Sequence, residues 1–131
     1  MTAAAQLKVL VVDDEPLVGQ LVASLLERKG FLAVVLASAQ AALDAAAAEP
    51  FGLVITDMEM PGFGGLRLCK EFQKLYPQLP VIAMSGSGPL KHNSDLQKAL
   101  KVGARSTIPK PFELKQFYGA IATALAPTGE L

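Results

Sequence analysis

The chain has 131 residues, 51% of them apolar and 18% charged, which suits one domain around a single core and excludes a disordered chain. Its 12 basic and 12 acidic residues leave no net charge, which excludes a general binder of nucleic acid or anionic membrane. The single cysteine, Cys69, excludes an internal disulfide and a cysteine metal cluster, and no apolar run approaches the roughly 18 residues of a membrane span. Met1–Gln6 has no basic n-region, so a cytoplasmic location is expected.

Short apolar runs alternate with stretches of helical period, the pattern of βα units on a parallel sheet. The first strand is expected over Leu7–Val12, and it ends at Asp13 and Asp14. Pro16 opens the first helix, with Leu17, Val18, Leu21, Val22, Leu25 and Leu26 as one inward stripe, and Gly30 closes it. A second strand over Ala33–Ala37 leads to an alanine-rich helix, Gln40–Glu49, stopped by Pro50. The third strand, Leu53–Thr56, ends at Asp57. Gly64 and Gly65 make a weak start for the next helix, Leu66–Tyr76, so its first turn is expected to fray; Leu68, Phe72 and Leu75 should face inward.

The fourth strand, Val81–Met84, runs into Ser85, and a helix over Leu96–Val102 closes at Gly103. The fifth strand, Ala104–Ile108, is followed by Pro109-Lys110-Pro111. Proline lacks the N–H that an interior strand needs, so Pro109 belongs on an edge strand. The last helix covers Glu113–Ala126, with Leu114, Phe117, Ile121 and Leu125 on one face. The expectation is an α/β domain of (βα)5 form over residues 1–131, with its core at about 7–126 and short tails.

In open α/β sheets, ligands bind at the carboxyl ends of the strands. If the first and third strands are neighbours, Asp13, Asp14 and Asp57 converge there. Such like charges raise one another's pKa unless positive charge lies among them. A hard divalent cation such as Mg²⁺, which takes carboxylate and carbonyl oxygens, would supply it, and so would Lys110. Three aspartates, Mg²⁺ and one lysine carry no net charge together. An acyl phosphate on Asp57 would take the cluster only slightly negative. Ser85, at the same edge, would offer its hydroxyl to a phosphoryl oxygen. Positioning and charge neutralisation are what phosphoryl transfer needs.

Four ordered motifs carry a resemblance: Val11-Val12-Asp13-Asp14-Glu15-Pro16, Ile55-Thr56-Asp57-Met58-Glu59-Met60-Pro61-Gly62, Ala83-Met84-Ser85-Gly86 and Lys110-Pro111-Phe112. Over about Leu7 to Leu125 the chain resembles a response-regulator receiver domain of two-component signalling, of the stand-alone type. The resemblance implies a flavodoxin-like three-layer sandwich with a parallel sheet of order 2-1-3-4-5, which puts the Pro109 strand at an edge. It implies Asp57 as phosphoacceptor from a sensor histidine kinase or a histidine phosphotransfer protein. Asp13, Asp14, Asp57 and the backbone carbonyl of Glu59 would surround Mg²⁺, with Asp13 acting largely through water. Ser85 and Lys110 would hold the phosphoryl oxygens. Output would go to a partner protein, with the helix 4–strand 5–helix 5 face as the family's usual surface, and Lys110-Pro111 would be a cis peptide.

The sequence also departs from that pattern. Thr107 stands where many members carry an aromatic switch residue, so output is expected to rely on loop and helix 4 movement. Gly86–Asp95 is a long, glycine-rich loop. His92, the only histidine, is expected on that loop, and Cys69, Phe117 and Tyr118 are expected to pack. Three alternatives stand beside the receiver. An aspartyl-phosphate phosphatase of haloacid-dehalogenase type would need Asp-x-Asp after the first strand, where the chain has Asp13-Asp14-Glu15. A flavodoxin-like cofactor binder would need a hydroxyl-rich phosphate loop there. A receiver that no longer phosphorylates would serve only as a dock.

Overall fold

A computed structural model describes residues 7–60, 64–85 and 97–126. The chain alternates β1 (Lys8–Val12), α1 (Pro16–Glu27), β2 (Leu32–Leu36), α2 (Ala39–Ala48), β3 (Leu53–Asp57), α3 (Gly65–Leu75), β4 (Val81–Ser85), a helix described over residues 97–101 (α4), β5 (Ser106–Pro109) and α5 (Leu114–Leu125). The five strands are parallel in the order β2-β1-β3-β4-β5, the flavodoxin-like arrangement the resemblance implied. β3 and β4 are buried along their whole length, as their unbroken apolar runs require when helices cover both faces. Pro109 ends β5, at the sheet edge.

Alternate residues of each strand feed two cores. Val9, Val11, Ile55, Ile82 and Ile108 pack with Val22, Leu26, Phe117 and Ile121 of α1 and α5. Leu10, Val12, Val54 and Ala83 pack on the other face with Ala42 of α2, Leu68 and Phe72 of α3, and Ala99 of α4. The helices are stopped by the residues that suggested it. Gly30 and Gly103 adopt φ of 90° and 109°, where a side chain would be strained. Ser38 caps α2, its Oγ accepting from the Ala41 N–H at 3.1 Å.

Four expected core leucines are instead exposed: Leu17 (81%), Leu21 (51%), Leu75 (53%) and Leu114 (49%). Leu17 and Leu114 open their helices, where side chains lean towards the N-terminus and so past the edge of the sheet. Around Leu114, Phe112 takes the packing position by stacking on Phe117, centroids 5.2 Å apart. At the end of α3, Tyr76 turns back on Phe72 at 5.9 Å and replaces Leu75. α1 lies against the sheet through Gly19, where a Cβ would come within 2.6 Å of Val35 Cγ1, which narrows the buried stripe to Gly19, Val22, Leu25 and Leu26. β5 begins at Ser106, two residues later than expected, because the Ala104 N–H closes α4 by donating to the Ala99 carbonyl at 3.0 Å. The Lys110-Pro111 peptide is cis.

Candidate functional site

Register brings the acidic strand ends together. Val12 lies opposite Thr56, so the next residues, Asp13 and Asp57, come side by side; Asp57 lies opposite Met84, and Ser85 opposite Pro109. Two hydrogen bonds carry the ladder past the strand ends: Met58 N–H to the Met84 carbonyl (2.9 Å) and Lys110 N–H to the Ser85 carbonyl (2.6 Å). Asp13, Asp57, Ser85 and Lys110 thus form one row across β1, β3, β4 and β5.

Among the described residues, the buried polar or charged ones are Asp13, Thr56, Asp57 and Ser85. Thr56 needs no site to explain it, since its hydroxyl donates to the Asp57 carbonyl. The other three belong to the row, and Lys110, half-buried, is its fourth member. Asp14 is exposed beside it, and oxygens of Asp13, Asp14 and Asp57 all lie within 4.8 Å of one another. Lys110 Nζ stands 3.4 Å from Asp57 Oδ1, 3.5 Å from Asp13 Oδ2 and 3.9 Å from Glu15 Oε1.

Backbone groups hold both buried carboxylates. Asp13 Oδ1 accepts from the Glu15 N–H at 2.9 Å, and Asp57 Oδ1 from the Glu59 N–H at 3.2 Å. The helix cap is therefore Glu15, and Asp14 stays outside it. Asp13 Oδ2 is buried and makes no hydrogen bond. Four carboxylates around one ammonium leave surplus negative charge, and a buried Asp13 oxygen with no hydrogen bond, its Lys110 contact being a 3.5 Å ion pair, fits a hard divalent cation. The cluster could hold a metal ion.

Burial raises the Asp57 carboxyl above its ordinary pKa. The Glu59 N–H and Lys110 pull it back down, while Asp13 pushes it up. For Lys110, burial works to lower the pKa, but the charges of Asp57, Asp13 and Glu15 prevail and raise it. Lys110 is thus held as a cation by the acids it neutralises.

The remaining residues singled out in the sequence lie nearby or elsewhere. Glu59 follows β3, with its backbone N–H on Asp57 and its side chain exposed. Thr107, half-buried, lies opposite Ala83, while its neighbour Ser106 turns to α5 and donates to the Ala120 carbonyl at 2.8 Å. Cys69 is buried in the α3 core, and burial pushes its thiol up to about 12. Pro61, Gly62, and the Gly86–Asp95 loop with His92, lie outside the described residues.

Two residues carry roles at the site that the sequence reading does not assign them. Glu15 completes the anionic surround of Lys110. Gly65 is the other: a Cβ there would fall 1.9 Å from the Asp57 carbonyl oxygen and 2.7 Å from Met58 Cα. The Gly64-Gly65 pair, weak as a helix start, is what lets α3 approach the strand end that carries Asp57.

The fold and the site together define a doubly wound α/β domain with an acid–lysine centre at the carboxyl edge of its sheet. The chain belongs to the response regulator receiver domain family of two-component signalling, whose family model matches residues 9–122. It is 35% identical over 124 residues to the transcriptional regulatory protein FixJ of Azorhizobium caulinodans, covering 95% of this chain and 57% of that protein. With the response regulator protein PilR of Pseudomonas aeruginosa it shares 36% over 118 residues, covering 90% of this chain and 26% of the relative. The chain thus spans only part of the length of these curated relatives. Among solved structures, the receiver domain of NtrX from Brucella abortus superposes with a TM-score of 0.83 at 34% identity, covering 89% of this chain and 97% of that one. The chemotaxis response regulator CheY4 of Vibrio cholerae does so with a TM-score of 0.82 at 25% identity, covering 92% and 99%. The family match supports the receiver reading over the phosphatase and cofactor-binding alternatives. Among the described residues, no helix is long and apolar enough to cross a membrane.

Proposed function

We propose that Asp57 accepts a phosphoryl group from a phosphohistidine on a sensor histidine kinase or a histidine phosphotransfer protein, and that a partner protein reads the phosphorylated state. The observation that carries this is the burial of Asp57 with Lys110 Nζ at 3.4 Å and two further aspartates within 4.8 Å. A carboxylate oxygen of Asp57 forms the new O–P bond as the P–N bond of the donor breaks. The electron pair returns to the imidazole nitrogen, which takes a proton from solvent. Asp13, Asp14, Asp57 and the Glu59 carbonyl would hold Mg²⁺, with Asp13 largely through water. When bound, the ion offsets the negative charge of the phosphoryl oxygens.

Lys110 orients and neutralises a phosphoryl oxygen, and the Ser85 hydroxyl donates to another. The Glu59 N–H keeps one Asp57 oxygen engaged, which leaves the other to react. Thr107 is the proposed switch position on β5, and its short side chain favours output through helix 4 rather than an aromatic flip. The output partner would meet the α4–β5–α5 face. Residues 1–131 would form one receiver domain, in a cytoplasmic setting. In acetyl phosphate with Mg²⁺, intact mass should show one added phosphoryl group that disappears when EDTA replaces the ion. No adduct under those conditions overturns the proposal.

A further inference from the structure

Between α3 and α4 the surface carries a groove of about 410 Å³, lined by Lys70, Gln73, Lys74, Leu100, Lys101 and Val102, with Gly103 at its end. The chain as a whole is neutral, but its charge is segregated here. Across α3 and the described residues of α4 stand five basic side chains, Arg67, Lys70, Lys74, Lys98 and Lys101, against one carboxylate, Glu71. Lys70 and Lys74 are one turn apart on α3 and line one wall. Lys101 lines the other. Among the described residues none of these three lysines is in an ion pair.

The groove also has an apolar strip. Leu100 is 48% exposed within it, and Val102 lies beside it. The end is closed by a tight contact: a Cβ at Gly103 would fall 2.4 Å from Gln73 Oε1, so only glycine lets that amide lie against the backbone. Leucine and valine between three aliphatic stems that end in ammonium groups make a surface that is apolar along its floor and cationic along its rim.

The geometry points to this groove as a docking site for an acidic amphipathic peptide segment of a partner protein, with an apolar side chain on Leu100 and carboxylates on Lys70, Lys74 and Lys101. The site is separate from the Asp57 centre. The floor gives a small inorganic anion nothing to hold. Single-stranded nucleic acid fits poorly, because the lining holds no aromatic side chain for base stacking and the neutral chain offers no long basic track.

A random peptide library selected on the immobilised chain tests this directly. The expected winners carry two or more Asp or Glu around a Leu, Ile or Phe. Measured by fluorescence anisotropy, the affinity of a winning peptide should fall with added salt and weaken about tenfold or more in Lys70→Glu/Lys101→Glu and in Leu100→Ala. It should hold in Arg28→Glu/Lys115→Glu, which carries the same charge change just past the end of α1 and on α5. Thermal melting, and the phosphoryl adduct on Asp57, check that each variant is folded. No enrichment, winners without acidic residues, or equal binding to the groove variants would each overturn the assignment. So would displacement of the peptide by a short single-stranded oligonucleotide, which would make the groove a nucleic-acid surface.

Discussion

Lys110 Nζ stands 3.4 Å from Asp57 Oδ1, close enough to hold that carboxylate's charge in a setting where burial alone would favour its protonation. Removing the ammonium leaves the burial and the Asp13 charge, both of which raise the Asp57 pKa. In Lys110→Met the Asp57 carboxyl, followed by ¹³C NMR, should titrate at higher pH than in the wild type. A midpoint that stays in place would mean the pair is not coupled.

The same burial gives Asp57 a cost in stability. Its folded pKa lies above the ordinary 3.8, so the folded chain binds its proton before the unfolded chain does. Stability therefore falls as pH rises through the window between 3.8 and the raised value, and the loss persists at neutral pH. Asp57→Asn should melt a few degrees higher than wild type at pH about 7 without divalent ions, and the difference should vanish in acid. Added Mg²⁺ should stabilise the wild type more than this variant. Calorimetry across pH reads all three.

Gly65 is required by contact. Gly65→Ala must move α3 away from the Asp57 carbonyl, at a cost of about 2–4 kcal/mol in urea unfolding. Gly64→Ala serves as its control. The nearest backbone atom to a Cβ there is 3.6 Å away, so the change should stay within about 0.5 kcal/mol.

Much of the site could be read from the sequence because its residues end short apolar runs, and strand ends in such folds meet along one edge. Asp13, Asp14, Asp57, Ser85 and Lys110 needed only that rule and the order of the strands. Gly65 could not be read, because the clash it avoids lies between α3 and β3, a contact with no local signal. The helix stripes claimed too much for a related reason. Period 3.6 identifies a face but not where the sheet beneath it ends, so Leu17 and Leu114, beyond the rim, were counted with Val22 and Phe117. The late start of β5 comes from Ala104, an apolar residue that extends the run in sequence but whose N–H closes α4.

Cys69 tests the packing of α3 independently. With its thiol buried and pushed up to about 12, almost no thiolate is present at pH 8. Labelling by a thiol reagent should proceed only as the domain opens, with rates that track its unfolding free energy in mild denaturant. Rapid labelling of the native chain would show α3 detached from the sheet.

In the proposed phosphoryl transfer Asp57 accepts the group while Asp13 and Asp14 hold the cation. Borohydride trapping of the acetyl phosphate-treated chain, followed by peptide mass mapping, tests it most directly, because reduction of an acyl phosphate leaves homoserine at the acceptor. Homoserine is expected at position 57 alone, and none in Asp57→Asn. Homoserine at position 13 or 14 of the wild-type chain would contradict it.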